Sequence, residues 1–241
     1  MSGVYFPWGT SYCFAYRDDL TVHDAIQHIA ADIVGSERMF VAEYDFSRYF
    51  ESISHDHLWK TLKDQRFLVT ALERTVVQAF LSVPTIDISQ YREFGGGPRT
   101  RGVPQGTSVS LFLANVAAWS LDRSLERLGV GFARFADDTL IWSQDYARIS
   151  AAADVLNDAA EQIGAKLNLR KSDGISILAP SGAPVEFHSK NAVEFVGYSF
   201  SSEKVGIRRS AVVRIKRHIS GLVFHNLMAL LTYPWVGHAA S

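Results

Sequence analysis

Several things are scarce in this 241-residue chain, and each scarcity closes off a class of protein. Cysteine occurs once, at Cys13, so no internal disulfide can form and no cysteine-built zinc site is available. A reducing cytoplasm is the compartment this implies. The segment MSGVYFPWGTSY lacks a basic stretch followed by an apolar core, so it does not read as a secretory signal. Long apolar runs are missing too. The most apolar late stretch, residues 221–233, is interrupted by His225 and Asn226, and it reads as a buried helix with no membrane partner. No repeat, low-complexity tract or Ser/Gly/Pro linker divides the chain, which suits one large domain or two intimate subdomains. Net charge is only −1, which as a sum argues against nucleic acid.

What is present changes that picture. A hydrophobic content of 47% supplies an ample core and excludes disorder. Charge is also unevenly spread: residues 204–217 (KVGIRRSAVVRIKR) carry six basic side chains and no acid. Binding depends on the local field along a groove, so this strip is compatible with phosphate.

Periodicity sets out the elements. Thr21 caps a helix with Val22, Ala25, Ile26, Ile29, Ala30 and Ile33 on one face, ended by Gly35. MFVAEYDF predicts a strand over 39–45. Ser54 caps a short helix through Lys63, and a longer helix from about Phe67 turns Val69, Leu72, Val76, Phe80 and Val83 inward until Pro84 stops it. Residues 85–94 read as a strand, broken by Gly95, Gly96, Gly97 and Pro98. After Gly106 a single helix buries Leu111, Ala114, Ala118, Leu121, Leu125 and Leu128, ending at Gly129.

VGFARFA and TLIWS, separated only by Asp137 and Asp138, predict a hairpin with two acids at its tip. The following helix buries Ile149, Ala152, Leu156, Ala159, Ala160 and Ile163. Short strands follow near 165–169, 174–178 and 193–200. A last helix from about Ser210 buries Val212, Ile215, Ile219 and Leu222, opposite Arg214 and Arg217. The expected class is α+β, a mainly antiparallel sheet backed by helices on one side, with the other face free for a ligand.

Acid pairs in turns are common and most do nothing. Here large apolar residues run right up to Asp137 and Asp138, and Asp45 ends another apolar strand that can lie beside the hairpin. Three clustered carboxylates repel unless a cation sits among them. Hard oxygen donors favour Mg²⁺ or Mn²⁺, and two such ions suit nucleotidyl transfer.

In order, DFSRYF, RGVPQGTSVSLFLANV, FARFADDTLIW, LNLRKS and EFVGYSF resemble the palm motifs of reverse transcriptases, those of group II introns, retrons and abortive-infection defence systems above all. Upstream, CFAYRDDLTVHDAI resembles a fingers segment. The likeness spans roughly residues 12–200. It implies a polymerase palm at 39–200 with a finger-like helical insertion near 54–94, partial fingers at 1–38, and the start of a short helical thumb at 201–241.

The resemblance implies RNA-directed addition of dNTPs to a primer 3′-OH by two-metal chemistry. Asp45, Asp137 and Asp138 match the acids that hold two Mg²⁺ (or Mn²⁺), with the Phe46 carbonyl as a main-chain ligand. Ser47, Arg48, Tyr49 and Phe50 fall to nucleotide binding. The Phe50 ring lies under the sugar, where it leaves no room for a 2′-OH. Gln105 and Gly106 match the loop at the incoming nucleotide, and Arg101, with Arg99 as an equal candidate, approaches phosphate. Lys171 matches the lysine near the pyrophosphate. Phe195, Gly197 and Tyr198 match the hairpin that grips the primer, and Arg214 and Arg217 a thumb helix along the duplex. The implied partners are an RNA template, a DNA or RNA primer and dNTPs.

The sequence departs from that pattern in two places. No basic equivalent of the triphosphate-holding fingers occurs in the first 20 residues, and the thumb must fit in about thirty residues after Arg208. A fragment, a split enzyme, or one completed by a protein or a structured non-coding RNA is therefore expected. Three other readings compete. His23-Asp24 and His55-Asp56-His57 prompt a metal phosphohydrolase. The palm could persist in a non-catalytic nucleic-acid-binding or assembly module, or serve untemplated DNA synthesis in a defence system. A nucleotide cyclase is excluded, since its Gly-Gly-acidic hairpin is absent.

Overall fold

The computed structural model describes residues 12–84, 99–168, 172, 174–180 and 188–232, without the side chains of 229–232. The expected 85–94 strand lies outside them, as does Lys171.

The first helix among the described residues is α1 (Val22–Ile33), where Thr21 and Asp24 cap each other's backbone in a reciprocal box. Strand β1 (Met39–Ser47) follows, then the single turn α2 (Tyr49–Ser52), α3 (His55–Asp64) and α4 (Ala71–Leu81). Helices α5 (Ser108–Ala117) and α6 (Trp119–Leu128) lead into the hairpin of β2 (Gly131–Phe135) and β3 (Asp138–Ser143). Helix α7 (Tyr146–Ile163) precedes β4 (Lys166–Leu167), β5 (Ile175–Leu178) and β6 (Ser189–Lys190). Three short strands, β7 (Val193–Phe195), β8 (Tyr198–Phe200) and β9 (Val205–Ile207), come before the long α8 (Arg209–Thr232).

The main sheet runs β2-β3-β1-β5-β6, with β4 pairing the end of β1. All its described strand pairs are antiparallel except β5–β6. This is the expected α+β palm-like layout, with helices packed on the sheet. Alternation along β1 sorts the two faces. Phe40, Ala42, Tyr44 and Phe46 join the helical side, packed with Leu113, Leu125, Ile149, Leu156 and Ile163. Met39 and Val41 face the other way, onto Ala25, Ile29 and Ile33 of α1 and Val193, Phe195 and Phe200 of the small sheet.

The second face is therefore not free along its length, as the sequence suggested. It is covered at the Met39 end, and Glu43 ties the cover down by accepting from the Glu194 backbone N–H at 2.9 Å and from the Lys190 ammonium. Only the Asp45 end of that face lies beyond these contacts.

Three further expectations are corrected. Helix α4 starts at Ala71 because Thr70 and Glu73 form a capping box there, and its stripe is not inward: Leu72 and Val76 are exposed. Likewise Ile215, Ile219 and Leu222 of α8 are exposed. Both helices have the periodicity of a buried face, but periodicity cannot supply a neighbour to bury it. The helix after Gly106 is two helices, broken at Ala118, whose carbonyl still accepts from Asp122. Among the described residues no helix is long and apolar enough to cross a membrane.

Candidate active site

Three chain segments are drawn to the open end of β1. In the β1–β3 ladder Asp45 stands directly opposite Asp138, and Tyr44 opposite Thr139. Residues facing each other across an antiparallel pair put their side chains on the same face, with Cβ atoms about 4.5–5.5 Å apart. Asp45 and Asp138 therefore share one face at the end of β1 away from Met39. Asp137 precedes Asp138 in the turn that closes the hairpin. Asp45 is buried, Asp137 half-buried and Asp138 exposed.

The turn is a two-residue connection, Ala136-Asp137, between Phe135 and Asp138. Ala136 has φ +59. Positive φ at the first turn position is where hairpins of the II′ pattern place glycine. An alanine there costs on the order of 1–3 kcal/mol, and it persists because its surroundings over-determine it.

Asn168, just past β4, fixes Asp45. Its backbone N–H donates to the Asp45 carbonyl at 2.8 Å, and its Nδ2 donates to Asp45 Oδ2 at 3.0 Å. Sequence reasoning passed over this residue, although it lies inside LNLRKS.

The loop before α5 is docked onto the turn after β1. Val103 N–H donates to the Phe50 carbonyl and Gly102 N–H to the Ile53 carbonyl, both at 2.7 Å. Gly102 has φ +79, and a Cβ there would lie 2.6 Å from the Glu51 carbonyl oxygen. Only glycine permits this approach. Gln105 and Gly106 consequently stand exposed at the rim, just ahead of the Thr107 cap of α5.

The remaining candidate residues divide into those at the surface and those in the core. The Phe46 ring is buried and stacks on Tyr49 at 5.3 Å. Ser47 ends β1 opposite Lys166. Arg48 is exposed with φ +48, 3.8 Å from Glu51. Phe50 is half-buried, edge-on to Tyr49 at 5.8 Å. Tyr49 itself is buried, its hydroxyl donating to the Ala114 carbonyl at 2.7 Å, and burial pushes that phenol's pKa up. It packs the site from below and has no surface to offer a nucleotide.

Phe195 is also a core residue, only 4% exposed. The tip of its hairpin is Val196-Gly197, at φ +45 and +83, with Tyr198 half-buried beside it. Arg101 donates from one Nη2 to the carbonyls of Ser52 at 3.0 Å and Gly164 at 2.7 Å, where α2 and α7 end. That nitrogen is committed to the fold. Arg214 and Arg217 lie exposed on α8.

Two of the three histidines that suggested a phosphohydrolase are likewise committed, while His23 is exposed. His55 Nε2 lies 2.7 Å from the Gly102 carbonyl and His57 Nε2 2.8 Å from that of Ala117, so both rings donate to backbone. Neither nitrogen can then ligate an ion.

Carboxylate oxygen is the donor type Mg²⁺ and Mn²⁺ take, and Asp45, Asp137 and Asp138 supply it from adjoining positions at one strand end. They do not form a closed cage: among the described residues no three His, Cys, Asp or Glu side chains stand close enough to hold a metal ion. The fit is one of donor chemistry and backbone register.

Comparison with known proteins agrees with this layout. The family model described as reverse transcriptase (RNA-dependent DNA polymerase) matches residues 10–200. Among curated proteins none is significantly similar in sequence. The telomerase of Candida albicans, solved with a fragment of telomeric RNA, superposes with a TM-score of 0.51 at 16% identity, over 71% of this chain and 30% of that one. Apo telomerase of Candida tropicalis, truncated from its C-terminal domain, gives 0.55 at 13% identity, over 76% and 38%. At such identities the likeness is one of fold, and this chain spans only 30–38% of those proteins. The chain belongs to the reverse transcriptase (RNA-dependent DNA polymerase) family.

Proposed function

We propose that this chain carries the catalytic centre of a prokaryotic-type reverse transcriptase, of the group II intron, retron or abortive-infection kind. It extends a DNA or RNA primer with dNTPs on an RNA template. The observation that supports this most is the register of β1 against β3, which sets Asp45 opposite Asp138 with Asp137 next to it.

The three carboxylates and the Phe46 carbonyl would hold two Mg²⁺ or Mn²⁺ ions. Such ions, when bound, would supply Lewis-acid activation of the primer hydroxyl and offset the charge on the departing pyrophosphate. Asn168 aims Asp45 at that task. Phe50, supported edge-on by Tyr49, forms the floor under the sugar, while Gln105 and Gly106 border the incoming nucleotide. Lys171 gives its proton to the leaving group. The Val196-Gly197 turn and Tyr198 meet the primer end, and Arg214 and Arg217 follow the duplex backbone.

Incubating the purified chain with dNTPs and a primed RNA tests this, with template-free and unprimed mixtures beside it. Extension that follows the template sequence is the expected result. Extension without template would show untemplated synthesis instead, and no incorporation in any mixture would leave a binding or assembly module.

A further inference from the structure

The most deeply buried cation among the described residues lies two positions before the active turn. Arg134, on β2, is fully buried, and its partner Asp122, on α6, is 1% exposed. The pair is bidentate: Nε donates to Asp122 Oδ1 and Nη2 to Asp122 Oδ2, both at 2.7 Å. Nη1 donates to the Ala136 carbonyl at 2.9 Å and to Asn115 Oδ1 at 3.3 Å, and Nη2 also reaches the Cys13 sulfur at 3.1 Å. A guanidinium has five N–H donors in a rigid fork, and these contacts use all five. Burial disfavours the Arg134 charge, and the Asp122 carboxylate more than offsets this and raises its pKa.

The contact with Ala136 is the informative one. Ala136 is the left-handed residue of the turn, and its carbonyl begins the peptide bond to Asp137. A core that needed only bulk here would take a leucine or methionine, since a buried ion pair is a poor means of gaining stability. The fork instead links α6, α5 and the N-terminal segment to one strained carbonyl, and so fixes the direction in which the chain leaves toward Asp137 and Asp138.

We infer that Arg134, held by Asp122, is a positioning residue for the active turn: it keeps Ala136 left-handed and thereby aims the acids that follow. This rests on the proposed role of those acids, but the clamp itself is a property of the fold. Arg134→Lys does not replace it, because an ammonium offers three donors and no planar fork.

The test uses the double variant Arg134→Met with Asp122→Leu, which removes both charges together and so avoids an unpaired buried one. Arg134→Lys is measured beside it. Amide hydrogen exchange at Ala136, Asp137 and Asp138 reports the turn directly, whether or not the chain polymerises. In the folded double variant we expect those amides to exchange at least tenfold faster while β1 and α7 keep their protection. Where the parent extends a primer, kcat should fall at least tenfold with KM for dNTP little changed, and Arg134→Lys should not restore it. Unchanged exchange at the turn in a folded double variant would overturn the clamp, as would an undiminished kcat. A parent without activity but with a loosened turn in the variant would keep the clamp and remove the polymerase reading.

Discussion

Asn168 grips Asp45 at two points, one on the main chain at 2.8 Å and one on the carboxylate at 3.0 Å. The two bonds fix both the strand end and the rotamer of the acid. Groups that orient a ligand from behind typically account for about 10–100-fold in activity or metal affinity. Asn168→Ala should therefore lower dNTP incorporation by about that much with little loss of thermal stability. Asn168→Asp should be worse, because it sets a second negative charge against Asp45. Steady-state incorporation and a melting curve check both, and equal activity in all three proteins would remove Asn168 from the site.

Gly102 is where the loop bearing Gln105 touches α2. With φ +79 and the Glu51 carbonyl 2.6 Å from any Cβ, Gly102→Ala must shift backbone. Left-handed strain alone is on the order of 1–3 kcal/mol. At about 2–4 °C per kcal/mol for a chain of this size, the melting temperature should drop by several degrees. An unchanged melting point would mean that the loop is not docked as described.

The His28 imidazole is half-buried, stacked on Tyr12 at 4.4 Å, with Nε2 donating to the Phe132 carbonyl at 3.1 Å. Burial holds its pKa below the ordinary value of about 6.5. As pH falls, the unfolded chain takes up this proton before the folded one does. The stability contribution is thus present above about pH 6.5 and lost as pH drops through the folded value. His28→Gln should show a shallower fall of melting temperature over that acidic window than the parent. Parallel curves would show that His28 does not set the slope.

Phe50 is braced by Tyr49 and by the backbone bond from Val103, so its ring has little freedom to move aside. Phe50→Ala should ease incorporation of rNTPs relative to dNTPs by about tenfold or more, the scale of one lost steric contact of 1–3 kcal/mol. Competition between the two nucleotide types measures this, and unchanged discrimination would remove the gate.

How far the sequence foretold these features depends on whether a residue's role is local. Thr21 and Asp24, the β1 strand, and the Ile149–Ile163 face of α7 were legible because capping and periodicity act within one element. The hairpin was legible for the same reason, but its tip is Ala136-Asp137, one residue earlier than the acid pair predicted, and Asp138 already belongs to β3. Leu72 and Ile215 misled because an apolar stripe says nothing about whether anything lies against it. Tyr49 and Phe195 fall inside segments that resemble functional motifs, yet their rings serve the core. Asn168 and Asp122 act across the fold, on partners 123 and 12 residues away, and no spacing rule joins them. One signal was there to be read: Arg134, between Phe132 and Phe135 in an apolar strand, had to be paired or it could not be buried.

Mn²⁺ binding followed by electron paramagnetic resonance, with primed RNA present, tests most directly whether Asp45, Asp137 and Asp138, brought to one strand end by the β1–β3 register, take up divalent ions. The parent chain should bind Mn²⁺, and Asp45→Asn and Asp137→Asn should each weaken that binding at least tenfold without unfolding the protein. Equal Mn²⁺ affinity in the parent and both variants would contradict the assignment.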